Sequence, residues 1–309
     1  MNRISTAASY QSALLNIMNA QSRQQTAQNQ VSTGKKATDL QGFGNQAVAL
    51  TAANSLKART DSHLENAKAL SGALAVQNGA LSQMASAVQG ARGAIAEALA
   101  TGNADGLMES LQGQFSQMTD ALNTRYQGDY LFAGGQTQTP PVAASTLADI
   151  AAAPTVPGMF ANDQLQTSQR VDDNTVLNTG FLADSLGTPA FNALKAVQQL
   201  DTGPSGPLTG KLTAAQTTQL QSMLASFDSA YSGLNDQVAK NGGMQNRVDA
   251  SISTLTDRQV TMESVVGDIA NVDGAEAVSR LQLAQVALQA SAQVFATLNN
   301  TSLLNVLSQ

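Results

Sequence analysis

An apolar stripe runs through the C-terminal half of the chain at helical spacing. Its first members follow one another at alternating steps of four and three residues: Leu220, Leu224, Phe227, Tyr231, Leu234 and Val238. The same register continues to Ile269 and passes Gly242–Gly243 without a shift. Because a helix broken at two glycines need not resume in register, the pattern predicts one helix of about fifty residues, as in a coiled coil or a long bundle.

Similar stripes occupy the N-terminal part of the chain. One comprises Leu74, Leu81, Met84, Val88, Ala91 and Ile95, and a second comprises Leu111, Phe115, Met118, Leu122 and Tyr126. The segment TGNADG at 101–106 lies between them. Its glycines and Asn predict a break, so we expect a long helix followed by a shorter one.

Helical spacing extends to both ends of the chain. The first predicted helix carries Ile4, Ala8, Gln11, Leu15 and Met18, and the last carries Ala277, Leu281, Ala284, Leu288, Ser291 or Ala292, Phe295 and Leu298. On the last helix a second apolar row runs beside the first, made of Leu283, Val286 or Ala287, Ala290 and Val294. The turn-forming residues at 272–274 predict the joint that precedes this helix.

The middle of the chain is of a different kind. All seven prolines lie between residues 140 and 207, and a proline costs a helix interior about 3 kcal/mol. TSQRV and TVLN, on either side of 172–174, predict two short strands joined by a turn. TPAFNALKAVQQL at 188–200 predicts a short helix with Thr188 as its N-cap and Pro189 at its first position.

These patterns predict a mainly α protein, an elongated antiparallel helical bundle or coiled coil with a small mixed α/β insert domain. Its predicted parts are terminal helices at 1–44 and 271–309, a long-helix frame at 45–136 and 209–270, and a proline-containing outer insert at 137–208. About seventy residues are few for an independent core, so we expect the insert to be a small appendage.

Composition narrows the classes of function. The 309 residues include 16 Lys and Arg and carry a net charge of −6, which disfavours a nucleic-acid partner. Cysteine is absent, which excludes disulfides and thiolate sites. We expect no transmembrane helix, because no apolar run reaches about 18 residues, and no cleaved secretory signal at the start.

Candidate chemistry is sparse. The segment STGKKATD at 32–39 lacks the glycine that a P-loop places five residues before its Gly-Lys. His63 is the only histidine, and Asp172-Asp173-Asn174 lacks the glycine and terminal glutamate of a calcium loop. We therefore expect no catalytic residue, no cofactor and no metal site, and interpret these features as a loop, a surface or half-buried helix residue and a turn.

The ends of the chain are almost uncharged. Residues 282–309 contain no Asp, Glu, Lys or Arg, and residues 1–34 contain only Arg3 and Arg23. Helices exposed to water normally carry a charged face, so these helices predict self-assembly in which both ends form a polymer core. The predicted interface residues share a place on the apolar rows: Ile4, Leu15, Met18, Leu281, Leu288, Phe295 and Leu298.

Four stretches carry a resemblance to a known family. They are RISTAASYQSALLNIMNAQSRQQTAQNQVSTGKKATD at the start, GDYLFAGGQTQTPP at 128–141, and RVDASISTL and VDGAEAVSRLQLAQVALQAS near the end. They resemble the bacterial flagellins and their axial relatives. The second stretch is similar to the hook–filament junction members of that family rather than to filament flagellins.

The resemblance implies a flagellin-like fold and a structural role. Such proteins form a ring that joins the hook, through the first hook-associated protein, to the flagellin filament, and they use an export chaperone. They reach the extracellular flagellum through the flagellar type III apparatus, without membrane insertion. Tyr130, Leu131, Phe132 and Gly134 are then expected to cap the helical frame where the insert begins, and Gly134-Gly135 are expected to turn the chain.

Two other interpretations stay open at this point. A filament flagellin shares the terminal helices and would differ in the YLFAG stretch. A cytoplasmic helical scaffold or signalling protein would carry a charged coiled-coil surface, which the ends of this chain lack.

Overall fold

The computed structural model describes residues 2–173 and 175–307, and for 2–7 and 299–307 it describes the helical backbone only. Its α-helices are α1 (Asn2–Thr33), α2 (Ala47–Thr101), α3 (Leu107–Leu122), α4 (Leu147–Ala152), α5 (Ala183–Thr202), α6 (Ala214–Ala270) and α7 (Gly274–Leu307). Short 3-10 turns cover Gln41–Gln46 and Pro157–Met159. The predicted mainly α fold class is confirmed.

Among the residues that the structure describes, four short strands form two antiparallel hairpins. β1 (Arg125–Tyr126) pairs with β2 (Asp129–Tyr130), and β3 (Ser168–Arg170) pairs with β4 (Val176–Asn178). The second hairpin lies where the sequence predicts two strands around a turn, although Asn174 of that turn lies outside the described residues. The predicted mixed character of the middle segment is confirmed.

The long C-terminal stripe forms one helix. α6 spans 57 residues and continues through Gly242–Gly243, as the unbroken register predicts. Side chains on the stripe from Leu220 to Ile269 are buried or half-buried. The break after Thr101 and the joint before Gly274 also lie where the sequence predicts them.

By its contacts the chain divides into two units. Unit 1 comprises the residues up to Asp61 and those from Asp257 onward, and unit 2 comprises Ser62–Thr256. α2 and α6 contribute residues to both units. This division differs from the three predicted parts, which stay a prediction.

Unit 2 contains an aromatic core that the frame helices and the middle segment share. Phe115 of α3 meets Phe191 of α5 edge to face at 5.2 Å, and Phe160 stacks on Phe191 at 5.3 Å between ring centroids. Ile150 of α4 and Phe227 of α6 are fully buried in the same cluster. The residues between 137 and 208 therefore pack into the core of unit 2.

The start of α5 corrects one prediction. The helix begins at Ala183, so Thr188 is not its N-cap and Pro189 lies inside the helix. The N–H groups of its first turn donate to residues that are distant in sequence. Ala183 N–H donates to the Phe132 carbonyl oxygen at 3.0 Å, and Asp184 N–H donates to Asn162 Oδ1 at 3.1 Å. Because these partners are remote in sequence, the local capping signal at Thr188 was misleading.

Candidate assembly interface

The two terminal helices pair with each other in unit 1. On α7 the seam follows the first predicted apolar row, whose described members are buried or half-buried: Ala277, Leu281, Ala284, Leu288, Ser291, Phe295 and Leu298. On α1 the seam follows a different row: Tyr10, Ala13, Ile17, Ala20, Gln24 and Ala27. Small alanine side chains on both helices let the two backbones approach closely.

An aromatic contact between α1 and α7 lies on this seam. The rings of Tyr10 and Phe295 meet edge to face, with centroids 5.7 Å apart and planes at 85°. Such pairs are favoured by the opposite partial charges of ring edge and ring face. Tyr10 was missed in the sequence because Ile4, Leu15 and Met18 define a stronger apolar row.

The structure divides the predicted interface residues into two groups. Leu281, Leu288, Phe295 and Leu298 are half-buried on the seam with α1 of the same chain. Leu15 and Met18 are 53% and 57% exposed, and the side chain of Ile4 lies outside the described ones. Contact between chains through either group stays a prediction.

Two exposed apolar surfaces remain on the helix pair. We call Leu14, Leu15 and Met18 the α1 ridge; they are 49%, 53% and 57% exposed. The second predicted row of α7 left Val286 and Ala287 as alternatives. We call the set with Ala287 the outer row, which comprises Leu283, Ala287, Ala290 and Val294. Leu283 and Val294 are 68% and 56% exposed. Exposed large apolar side chains on nearly uncharged helices are typical of interaction surfaces.

Two grooves lie along the α1–α7 pair. The first, of about 540 Å³, is lined by Ala8, Ser9, Ser12, Ala13, Asn16, Ala290, Ser291, Val294 and Leu298. The second, of about 450 Å³, is lined by Ser22, Arg23, Thr26, Ala27, Gln30, Arg280, Leu283, Ala284 and Ala287. The outer row of α7 therefore forms one wall of both grooves, and small or hydroxyl side chains of α1 form most of the other.

The STGKK loop caps the end of α6. Lys36 N–H donates to the Ala270 carbonyl oxygen at 2.8 Å, and Lys36 Nζ donates to the Asp268 carbonyl oxygen at 2.7 Å. Lys35 Nζ donates to Asn271 Oδ1 at 2.6 Å. Lys36 thus supplies a backbone N–H and a cationic Nζ to carbonyl groups that the last turn of a helix leaves unsatisfied, at the negative end of its dipole. The sequence predicted a loop here but not its partner.

An ionic cluster joins α2 to α6 within unit 1. Lys57 Nζ lies 2.8 Å from Asp61 Oδ2 and 3.3 Å from Glu263 Oε1, and Gln259 Nε2 donates to Asp61 Oδ1 at 2.7 Å. The hydrogen bond from Lys57 lowers the pKa of Asp61, and the bond to Asp61 raises the pKa of Lys57. Lys57 and Asp61 are half-buried and Glu263 is exposed, so water screens the cluster and it contributes specificity of pairing more than stability.

The YLFAG stretch lies in unit 2. Phe132 is 1% exposed, whereas Tyr130 and Leu131 are half-buried, and only Tyr130 belongs to a strand. Arg125 lies over the Tyr130 ring at 4.1 Å and donates to its hydroxyl at 2.6 Å. A buried Phe132 is compatible with the predicted capping role, which stays a prediction.

Gly134 and Gly135 of this stretch leave space for the carboxylate of Asp163, which is distant in sequence. Gly134 has φ +66°, and a Cβ there or on Gly135 would collide with Asp163. Asp163 Oδ1 accepts from Gly135 N–H at 2.7 Å and from Leu165 N–H at 2.9 Å. These backbone donors lower the pKa of Asp163. Sequence reasoning explained the glycines as a turn and missed Asp163.

Other candidate chemistry does not assemble into a site. His63 Nε2 lies 3.3 Å from Asp173 Oδ1, in a contact that ties α2 to the β3–β4 hairpin. Among residues 2–173 and 175–307 no three His, Asp or Glu side chains cluster as metal ligands would. No described helix is long and apolar enough to cross a membrane.

Family models match both flanks of the chain. The model of the bacterial flagellin N-terminal helical region matches residues 4–137, and that of the C-terminal helical region matches residues 224–307. Together they cover well over half of the chain and leave most of the proline-containing segment unmatched. The chain belongs to the bacterial flagellin family.

Within this family the chain is similar to a particular axial protein. It is 24% identical to flagellar hook-associated protein 3 of Escherichia coli (strain K12), over 97% of this chain and 98% of that protein. The same protein of Salmonella typhimurium (strain LT2) gives the same identity and coverage. The similarity thus includes the segment that the family models leave out.

Solved structures show the same fold. A flagellar hook-associated protein from Vibrio parahaemolyticus matches 73% of this chain with a TM-score of 0.59. FlgL from Xanthomonas campestris matches 71% with a TM-score of 0.54, and FlgL from Bacillus cereus matches 70% with 0.52. These matches cover 97%, 99% and 98% of the respective chains, each at 14% sequence identity.

Proposed function

We propose that this chain is a structural axial protein of the bacterial flagellum that assembles as a ring between the hook and the flagellin filament. The observation that carries the proposal is the similarity to hook-associated protein 3 across nearly the full length of both proteins. A filament flagellin would share the terminal helices without requiring similarity through the middle segment. The role is mechanical and involves no catalysis.

The exposed, uncharged surfaces of unit 1 support the assembly part of this proposal. The α1 ridge and the α7 outer row leave apolar side chains in water in the single chain. Burial of apolar surface is favourable by about 25 cal/mol per Å², so neighbouring copies gain by covering these rows. Neutral amide and hydroxyl groups around them can be desolvated at less cost than charges.

The proposed partners follow from the position in the flagellum. They are further copies of this chain, the first hook-associated protein on the hook side, flagellin on the filament side, and an export chaperone before assembly. We propose export through the flagellar type III apparatus to the extracellular flagellum. Neither nucleic acid nor a membrane bilayer is a partner.

Deletion of the gene in the source bacterium tests the function. We expect electron microscopy to show hooks that lack filaments, with flagellin released into the medium, and complementation to restore both filaments and swimming. A flagellin deletion provides the comparison, because it removes filaments without releasing flagellin. Normal filaments in the deletion strain would contradict the proposal.

A substitution tests whether the terminal helices carry the role. Phe295→Asp places a carboxylate against Tyr10 on the half-buried seam, and in the proposed assembly this unpaired charge would become buried at a cost of several kcal/mol. We expect this variant to be exported but to leave hooks without filaments. Val176→Asp, the same kind of change at an exposed strand position of unit 2, should retain swimming. Equal swimming of the two variants would refute the assignment.

A further inference from the structure

We propose that copies of this chain join head to tail, with the α1 ridge of one copy seated in the grooves along the α1–α7 pair of the next. The inference rests on the proposed ring assembly and adds which face meets which. It assigns Leu14, Leu15 and Met18 as the inserting side chains and the α7 outer row as the receiving wall.

The ridge and the grooves lie on different sides of the same helix pair. On α1 the groove residues Ser9, Ser12 and Asn16 follow helical spacing along one side of the seam, and none of the ridge residues lines either groove. Successive residues of a helix are turned by about 100°, so Leu14 and Met18 fall on the other side of the seam residues Ala13 and Ile17.

This arrangement determines the symmetry of the contact. If ridge and groove shared one side, two copies could bury both at once in a closed two-fold dimer. Because they lie on different sides, a copy that inserts its ridge leaves its own groove open for another copy. Such heterologous contacts continue from copy to copy and form a ring or a helix.

Shape and polarity of the two surfaces match. The ridge presents long, flexible leucine and methionine side chains, and the first groove is lined on its α1 side by alanine, serine and asparagine. The five α1 positions lining the second groove lie two heptads beyond those lining the first, so the grooves continue along one stripe of α1. Two rows of inserting side chains at helical spacing suit such a stripe.

Charge favours a second copy as the occupant. Residues 4–22 and 282–309, which include the ridge and the whole outer row, contain no Asp, Glu, Lys or Arg. Arg280, at the wall of the second groove, is paired with Glu276 at 2.6 Å. Arg23 also lines the second groove, whereas the first groove has no charged lining residue. A neutral apolar ridge and a neutral first groove, both carried by the same chain, complement each other without any charged partner.

Cysteine cross-linking in isolated flagella tests the pairing, because the chain has no cysteine of its own. Met18→Cys is combined with Leu283→Cys, Ala287→Cys, Ala290→Cys or Val294→Cys, either in one chain or as a mixture of two single variants in one strain. Flagella are purified, oxidised mildly and run without reductant. Val286→Cys, exposed on α7 but outside both grooves, is the control for the receiving side.

We expect at least one double variant to give a ladder of covalent oligomers and the matching mixture to stop at dimers. Each single variant alone, and Met18→Cys with Val286→Cys, should stay monomeric. Dimers from Met18→Cys alone would show an isologous contact and overturn the inference, as would the absence of every cross-link in flagella that contain the variants. If the chain itself, unsubstituted, were missing from purified flagella, the proposed function would fail first and the inference with it.

Discussion

At the scale of single residues, the contact of Gly134 and Gly135 with Asp163 shows why some long-range contacts cannot be predicted from the sequence. The two glycines predict a turn, but Asp163 lies 28 residues after Gly135, in a stretch with no distinctive pattern. What makes the glycines necessary is the carboxylate that occupies the space of their missing side chains. The sequence therefore predicts the backbone conformation and not the partner that requires it.

Asp163→Ala should make unit 2 less stable in a pH-dependent way. The pKa of Asp163 is lowered in the folded chain by two backbone donors, so its stabilisation is present above the ordinary aspartate pKa of about 3.9 and is lost as pH falls through the lower folded value. We expect a lower Tm than the unsubstituted chain at pH 7 and converging Tm values in strong acid. Asp236→Ala, on the exposed side of α6, is the control and should lower Tm at neither pH.

Phe132→Ala tests the YLFAG stretch itself. The side chain is 1% exposed within the core of unit 2, and truncating a buried phenylalanine costs about 3–5 kcal/mol. Urea unfolding followed by hydrogen exchange in α3 and α5 should show this loss. Leu165→Ala, at a leucine that is 62% exposed, should change the free energy of unfolding little. An unchanged midpoint for Phe132→Ala would mean that the stretch serves a contact outside the chain.

At the scale of elements, hydrophobic spacing predicted helices well where large side chains form the seam. The α6 stripe and the first α7 row are such cases. On α1 the prediction chose Leu15 and Met18, whereas the fully buried positions of the seam are the alanines Ala13, Ala20 and Ala27. An alanine stripe carries almost no hydrophobic signal, so only the structure of the partner helix reveals it. The start of α5 was predicted wrongly for a related reason, because the groups that accept hydrogen bonds from its first turn belong to residues distant in sequence.

Glycines inside helices give a prediction whose sign depends on their surroundings. A Cβ on Gly243 of α6 would meet no atom within 4 Å, so Gly243→Ala should stabilise the chain by roughly 0.5–1 kcal/mol. A Cβ on Gly187 of α5 would lie 2.6 Å from the Phe160 ring and 3.1 Å from Leu122, so Gly187→Ala should destabilise it by about 1–3 kcal/mol. Chemical denaturation of both variants checks the pair. Shifts in the same direction would contradict the packing described here.

At the scale of the whole molecule, the two units differ in the side chains that they bury. Four phenylalanines are fully buried in unit 2, at positions 115, 132, 191 and 227. The α1–α7 seam of unit 1 buries mainly alanines, each of which contributes little apolar area, and leaves larger side chains exposed. The terminal helices, which the sequence predicts to assemble, are thus the part of the protein that packing within a single chain stabilises least. This contrast suits a protein whose ends complete their packing against neighbours.

Hydrogen exchange on the dilute full-length chain should resolve this contrast. Burying a methylene-sized group contributes about 0.8 kcal/mol, so an alanine seam offsets far less of the entropy of ordering two helices of more than thirty residues than an aromatic core does. We therefore expect amides of α1 and α7 to exchange through local opening, much faster than those of α3 and α5 in the same sample. Denaturant should accordingly reveal two transitions, the first without loss of protection in α3. Equal protection in all four helices, with a single cooperative transition, would mean that the α1–α7 pair is stable without neighbours and that its exposed rows are not an unfinished interface.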